Sequence, residues 1–166
     1  MARMEIEAID EYELKLSKLG DKSEEVAKRA VYNGADVVAD AIKEALKGLP
    51  IEEGENGLAP YKKEGEMLTG VTRKQRQDLI DSMGLAPIQE FKAGYIDTKV
   101  GWDGYGSVKT KDYPNGLPNQ LLMRSVESGT SFRKKTPIVR RAVTRVKQQA
   151  IEKMSKTIDE EIKKII

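Results

Sequence analysis

DKSEEVAKRAVYNGADVVADAIKEALKGLP, Asp21 to Pro50, is the stretch on which the fold turns. Small and apolar residues recur at steps of three and four, at Ala27, Ala30, Val31, Gly34, Val38, Ala41, Ile42, Ala45 and Leu49. That spacing puts them on one stripe of a helix and leaves the opposite side to charge. Asp21 or Ser23 can cap the start, and Gly48 with Pro50 stops the end. A stripe this rich in Ala and Gly suits close packing against a sheet or another helix.

Working outward, MEIEAI alternates and reads as a short strand, while DEYELKLSKLG reads as a short helix stopped by Gly20. Downstream, IEEGENGLAPYKKEGEM has closely spaced Gly and Pro, no period and a surplus of acid, which predicts a loop over about 51–66. TRKQRQDLIDSMG then predicts a short helix closing at Gly84. APIQEFKAGYIDTKVGWDG predicts a hairpin, with strands near Ile88 to Lys92 and Tyr95 to Val100 and Ala93-Gly94 at the turn. Pro114-Asn115-Gly116 is suited to a tight turn, and Pro118 to starting the next element.

From about residue 136 the chain reads as helix to its end, with Pro137 in the first turn. Ile138, Ala142, Val146, Ile151, Met154, Ile158, Ile162 and Ile165 lie near one face. Such a helix would be roughly 45 Å long, against about 40 Å for a compact domain of this length. One end is therefore expected to outrun its domain, so that Ile158, Ile162, Ile165 and Ile166 need a partner or a fraying terminus, of which shape and composition favour a partner.

A chain of 166 residues, 39% hydrophobic and 34% charged, has room for one core and predicts a single domain over 1–166. Aromatics at 5% argue against an all-β sandwich. The expected class is α+β, with long N-terminal and C-terminal helices packed on a small antiparallel sheet. No apolar run approaches the roughly 20 residues of a membrane span, and the acidic N-terminus lacks the pattern of a leader. With no cysteine and no histidine, disulfides, thiolate nucleophiles, the usual zinc sites and histidine bases drop out together.

Net charge is only +2, but it is unevenly placed. Residues 1–66 hold 16 acids against 10 bases, whereas Arg133, Lys134, Lys135, Arg140, Arg141, Arg145 and Lys147 follow one another with no acid between them. Such a block is the footprint of a nucleic-acid binder, yet only Phe132 is nearby to stack on a base, and no helix-turn-helix or zinc signature precedes it. A neighbouring protein surface, nonspecific DNA or plain solvent can each face it.

Just before the block stands Glu127, followed by Ser128-Gly129-Thr130. A catalytic carboxylate needs a second acid, a base or a metal, and His and Cys are absent to help. The better reading is a turn, in which Gly129 takes a positive φ and the Glu127 carboxylate pairs with a basic side chain or with turn amides. Asp97, Asp103 and Asp112 do not match the spacing of an EF-hand loop, and no phosphate-binding glycine loop is present. No catalytic, cofactor-binding or metal-binding residue is assigned.

The ordered set Leu68-Thr69-Gly70 with Leu79 and Ser82, then Val126-Glu127-Ser128-Gly129-Thr130, then Pro137-Ile138-Val139-Arg140-Arg141-Ala142 resembles the tail-component, or tail-completion, proteins of long-tailed bacteriophages and prophages. The resemblance covers nearly the whole chain. The chain departs from the family pattern at Ser128 and Ile138, where aromatics are common, and in a longer insertion after Thr69-Gly70. The resemblance implies a structural role at the head-tail junction or tail end, without a cofactor. It further implies a ring of copies contacting connector, tail terminator or tail tube proteins, and a place in the virion after synthesis in the host cytoplasm. The alternative is a nonspecific nucleic-acid-binding protein that uses the basic helix.

Overall fold

The computed structural model describes the backbone of residues 2–92 and 95–165 and, among these, the side chains of all but 2–16, 89–92 and 95. The fold is α+β. In chain order the elements are α1 (Ala2–Lys47), α2 (Arg73–Ser82), β1 (Met83–Leu85), β2 (Gln89–Lys92), β3 (Tyr95–Asp97), β4 (Val100–Trp102), α3 (Asn119–Ser128) and α4 (Ile138–Ile165). Packing divides the chain into two compact units. The first is Met1–Val37, Pro87–Thr98 and Gln148–Ile166, and the second is Val38–Ala86 and Lys99–Lys147. The divisions fall inside α1 and α4, so neither long helix belongs to one unit alone.

Residues 4–9, expected as a strand, are helical, and Gly20 does not stop the helix. A solvent-exposed glycine costs about 1 kcal/mol relative to Ala in a helix interior, too little to break a run of good helix formers. The Ser23 hydroxyl, a candidate cap, instead donates to the Gly20 carbonyl at 2.9 Å within the helix. The C-terminal stop falls where expected, at Gly48 and Pro50, with the Gly48 amide donating to the Ala45 carbonyl.

In the first unit the small-residue stripe of α1 meets α4. A Cβ on Gly34 would stand 2.8 Å from Met154 Sδ and 3.3 Å from the Ala150 carbonyl oxygen, so a larger residue here would require the Met154 side chain to give way. On one side of that contact Asn33 Nδ2 donates to Thr157 Oγ1 at 3.0 Å, and further along Arg29 pairs with Glu161 at 2.9 Å. Rising numbers on one helix match falling numbers on the other, so the two segments run antiparallel. The buried face of α4 runs through Ala142, Val146, Ala150 and Thr157, whereas Ile151 and Ile158 are exposed. The expected isoleucine face is thus displaced at these two positions, because close approach to Gly34 selects the small residues beside them. Ile162 and Ile165 are half-buried, and Ile166 lies outside the described residues.

The expected hairpin forms, but its second strand ends at Asp97 rather than Val100. β2 pairs antiparallel with β3, Gln89 opposite Asp97, with a bulge between Glu90 and Lys92. β4 instead pairs with β1 in the second unit, Met83 opposite Trp102. The proposed turn at Ala93-Gly94 lies outside the described residues. α2 ends at Ser82, and Gly84 lies inside β1. At its start, Thr72 and Gln75 form a reciprocal capping box at 3.1 Å each way. The core of the second unit draws on Ile42, Leu46, Leu49, Val71, Leu79, Trp102, Leu122, Met123, Val126, Ala142 and Val146. Gly116 closes the expected turn at φ 100°, its amide donating to the Tyr113 carbonyl at 3.0 Å.

Candidate functional site

Three segments far apart in sequence meet in the second unit. α3 ends at Gly129, which takes φ 75° and sends its amide to the Ser125 carbonyl at 2.9 Å. Thr130 Oγ1 then accepts from the amide of Arg133 at 3.1 Å, while the Thr130 amide donates to the Arg133 carbonyl at 2.9 Å. The loop so folded lies beside Leu68: the Leu68 amide donates to the Phe132 carbonyl at 2.8 Å and the Lys134 amide to the Leu68 carbonyl at 2.9 Å. The Thr136 amide returns to the Val126 carbonyl at 2.7 Å.

Glu127 completes the joint. Its carboxylate accepts from the amides of Val139 and Arg140, each at 2.9 Å. These are among the first amides of α4, which have no partner inside the helix, and the helix dipole adds to their pull on an anion. α4 has no acid in its own first turn. Glu127 therefore supplies, from the end of α3, the cap that α4 lacks.

Two further charged residues hold the other side. Glu52 accepts from the amide of Gly70 at 3.1 Å, from the Thr69 hydroxyl at 3.0 Å and from the Thr69 amide, and it pairs with Lys62. The Lys62 ammonium and the Thr69 amide draw its carboxyl down to about 2. Glu53 takes the Arg73 amide and guanidinium, both at 2.8 Å, at the start of α2. The 51–66 loop is therefore pinned near its start by two carboxylates. Neither was singled out from the sequence, since each bonds a backbone about 20 residues away.

The basic block separates into two kinds of residue. Arg133 is 6% exposed and donates to the Gly70 carbonyl; burial lowers its pKa, opposed by the Glu52 charge. It belongs to the joint, which corrects its place in an outward-facing patch. Lys134, Lys135, Arg140, Arg141, Arg145 and Lys147 are all exposed, and none forms an ion pair among the described residues. At 100° per residue the four helical cations fall within about 160° of arc, opposite Ala142 and Val146. Thr144 and Gln148 lie in the middle of that arc.

Beside the joint, an open groove of about 600 Å³ is lined by Leu68, Tyr113, Leu117, Leu121, Leu122 and Phe132, with Asp78 and Asp112 among its polar residues. Leu121 and Phe132 stand 43% and 56% exposed. Asp78 is occupied, accepting from the amide and hydroxyl of Ser107 at 2.9 and 3.0 Å. Comparison with protein-family models, curated proteins and solved structures finds no match. The joint, the groove and the cationic face are thus what the molecule itself offers for a functional reading.

The remaining sequence candidates disperse. Asp97 ends β3 in the first unit, while Asp103 and Asp112 belong to the second. Among the described residues no three carboxylates gather as a metal site, and no helix is long and apolar enough to cross a membrane.

Proposed function

We propose that the protein is a non-enzymatic assembly subunit at the head-tail junction or tail end of a long-tailed phage or prophage. In the particle it forms a ring and contacts connector, tail terminator or tail tube proteins. The observation that carries this reading is the convergence of the three segments behind the family resemblance: Leu68 to Gly70, Val126 to Thr130 and Pro137 to Ala142 meet in one hydrogen-bonded joint. Residues of that order and spacing serve a common structural purpose. Glu127, read from the sequence as structural rather than catalytic, bonds the first amides of α4. The neighbouring groove offers an apolar surface rimmed by polar groups, the composition expected where another protein docks.

The test is made in the phage or prophage that encodes the chain. Leu121→Asp with Phe132→Asp alters two exposed groove residues and leaves the buried core in place. Electron microscopy of the lysate should then show separate heads and tails while the variant remains folded and soluble. Normal yields of joined, infectious particles would remove the groove from the assembly contacts.

A further inference from the structure

We infer that the exposed face formed by Lys134, Lys135, Arg140, Arg141, Arg145 and Lys147 binds the phosphate backbone of duplex DNA without regard to sequence. The inference does not rest on the assembly reading; it rests on four observations. First, the six cations are all exposed and without ion-pair partners among the described residues. Second, the nearest preceding acid, Glu127, is bound to the α4 amides, and the next acid in sequence is Glu152. Positive charge is therefore concentrated on a chain whose net charge is only +2.

Third, four of the six cations lie on the exposed side of α4, and the small cavity that Lys134 lines is about 10 Å³, too small for a phosphate ion. An extended polyanion fits such a face better than a small anion. From Arg140 to Lys147 the helix rises about 10 Å, over which a duplex presents roughly six phosphates on its two strands. Fourth, the middle of the face carries Thr144 and Gln148 rather than an apolar anchor. The centres of protein interfaces are depleted in lysine and built on apolar or aromatic residues, whereas DNA-contacting surfaces are polar and strongly cationic. That contrast favours phosphate over an acidic protein. With no aromatic on the helical part of the face to reach a base, the contact is to backbone only.

The experiment measures fluorescence anisotropy of the full chain with two duplexes of about 30 base pairs and unrelated sequence. Salt is varied from about 50 to 200 mM, over which six phosphate contacts should weaken binding about a thousandfold. Both duplexes should bind equally. Arg140→Gln with Arg141→Gln should reduce the steepness of the salt dependence by about two contacts. Lys109→Gln with Lys111→Gln, which removes the same charge from two other exposed positions of this unit, should leave it unchanged. Any of three results overturns the inference: no binding at low salt, equal loss in both double variants, or displacement by poly-glutamate as effective as by unlabelled duplex at equal charge. The last would assign the face to an acidic protein partner. Because purified protein suffices, failure here leaves the particle test standing, and failure there leaves this one standing.

Discussion

The two ends of α4 are held by different physics. At its start, Glu127, Arg133 and the backbone of Leu68 to Gly70 fix the helix through directional hydrogen bonds, several of them charge-assisted. Over Gln148 to Ile165 the helix is held by close approach of small residues to α1 around Gly34, with exposed ion pairs at the edge. Hydrogen bonds to fixed backbone groups specify one geometry and tolerate little displacement. Contact between helix faces can slide by a few tenths of an ångström when a flexible side chain such as Met154 yields. The first end should therefore be the brittle one.

Gly70→Ala should show the largest effect. A Cβ there would meet the Pro50 carbonyl oxygen at 2.5 Å, its carbon at 2.9 Å and the Glu52 amide at 3.1 Å, all backbone atoms with nowhere to go. A loss of about 3 kcal/mol is expected, read as a fall of about 10 °C in the melting temperature. Glu127→Ala should follow at about 2 kcal/mol in urea unfolding, since it leaves the first amides of α4 without their charged acceptor. Amide exchange should quicken at Val139 and Arg140 first, while amides near Ala150 keep their protection.

Glu52 sharpens the comparison through pH. Its carboxyl lies at about 2, below its ordinary 4.5, so the ionised form is favoured by folding. Its contribution is fully present above about pH 4.5 and is lost as the pH falls through the folded value near 2. The stability difference between wild type and Glu52→Gln should accordingly stay constant above pH 4.5 and shrink towards pH 2. A difference independent of pH in denaturant titrations across that window would mean that the clasp on Thr69 and Gly70 is not electrostatic. Gly34→Ala at the other end should cost least, about 1 kcal/mol, because the clash with Met154 is offset by the helix preference of Ala. Adding Met154→Ala should cost less than the two changes separately, a non-additivity that marks direct contact.

The parts of the fold legible from sequence were those written in local pattern: a helix through Asp21 that stops at Gly48, the Gly116 turn, the start of an element at Pro118 and the last helix with Pro137 ahead of it. The errors came where a local signal met a distant partner. Gly20 looked like a stop, but its price in a helix is small and nothing nearby competes for the segment. Residues 95–100 looked like one strand; Tyr95 to Asp97 does form the hairpin with β2, but Val100 opens a separate strand that joins β1, a pairing decided by where α2 delivers Met83. At the candidate site, the sequence points Glu127 to a basic side chain or to the amides of its own turn; it takes instead the amides of Val139 and Arg140 at the start of α4, which no local pattern announces. Arg133 could not be told from its six cationic neighbours, since its burial depends on the Gly70 carbonyl 63 residues away. Ile151 and Ile158 fitted a helical period as well as Ala150 and Thr157 did; only the approach of Gly34 separates them.

The measurement that bears most directly on the proposed role is the copy number of this chain in purified tailed particles, determined by quantitative mass spectrometry against the tail tube subunit. The ring reading predicts a fixed whole number of copies per particle, retained when free protein is washed away. Complete, infectious particles that contain none of it would contradict the reading.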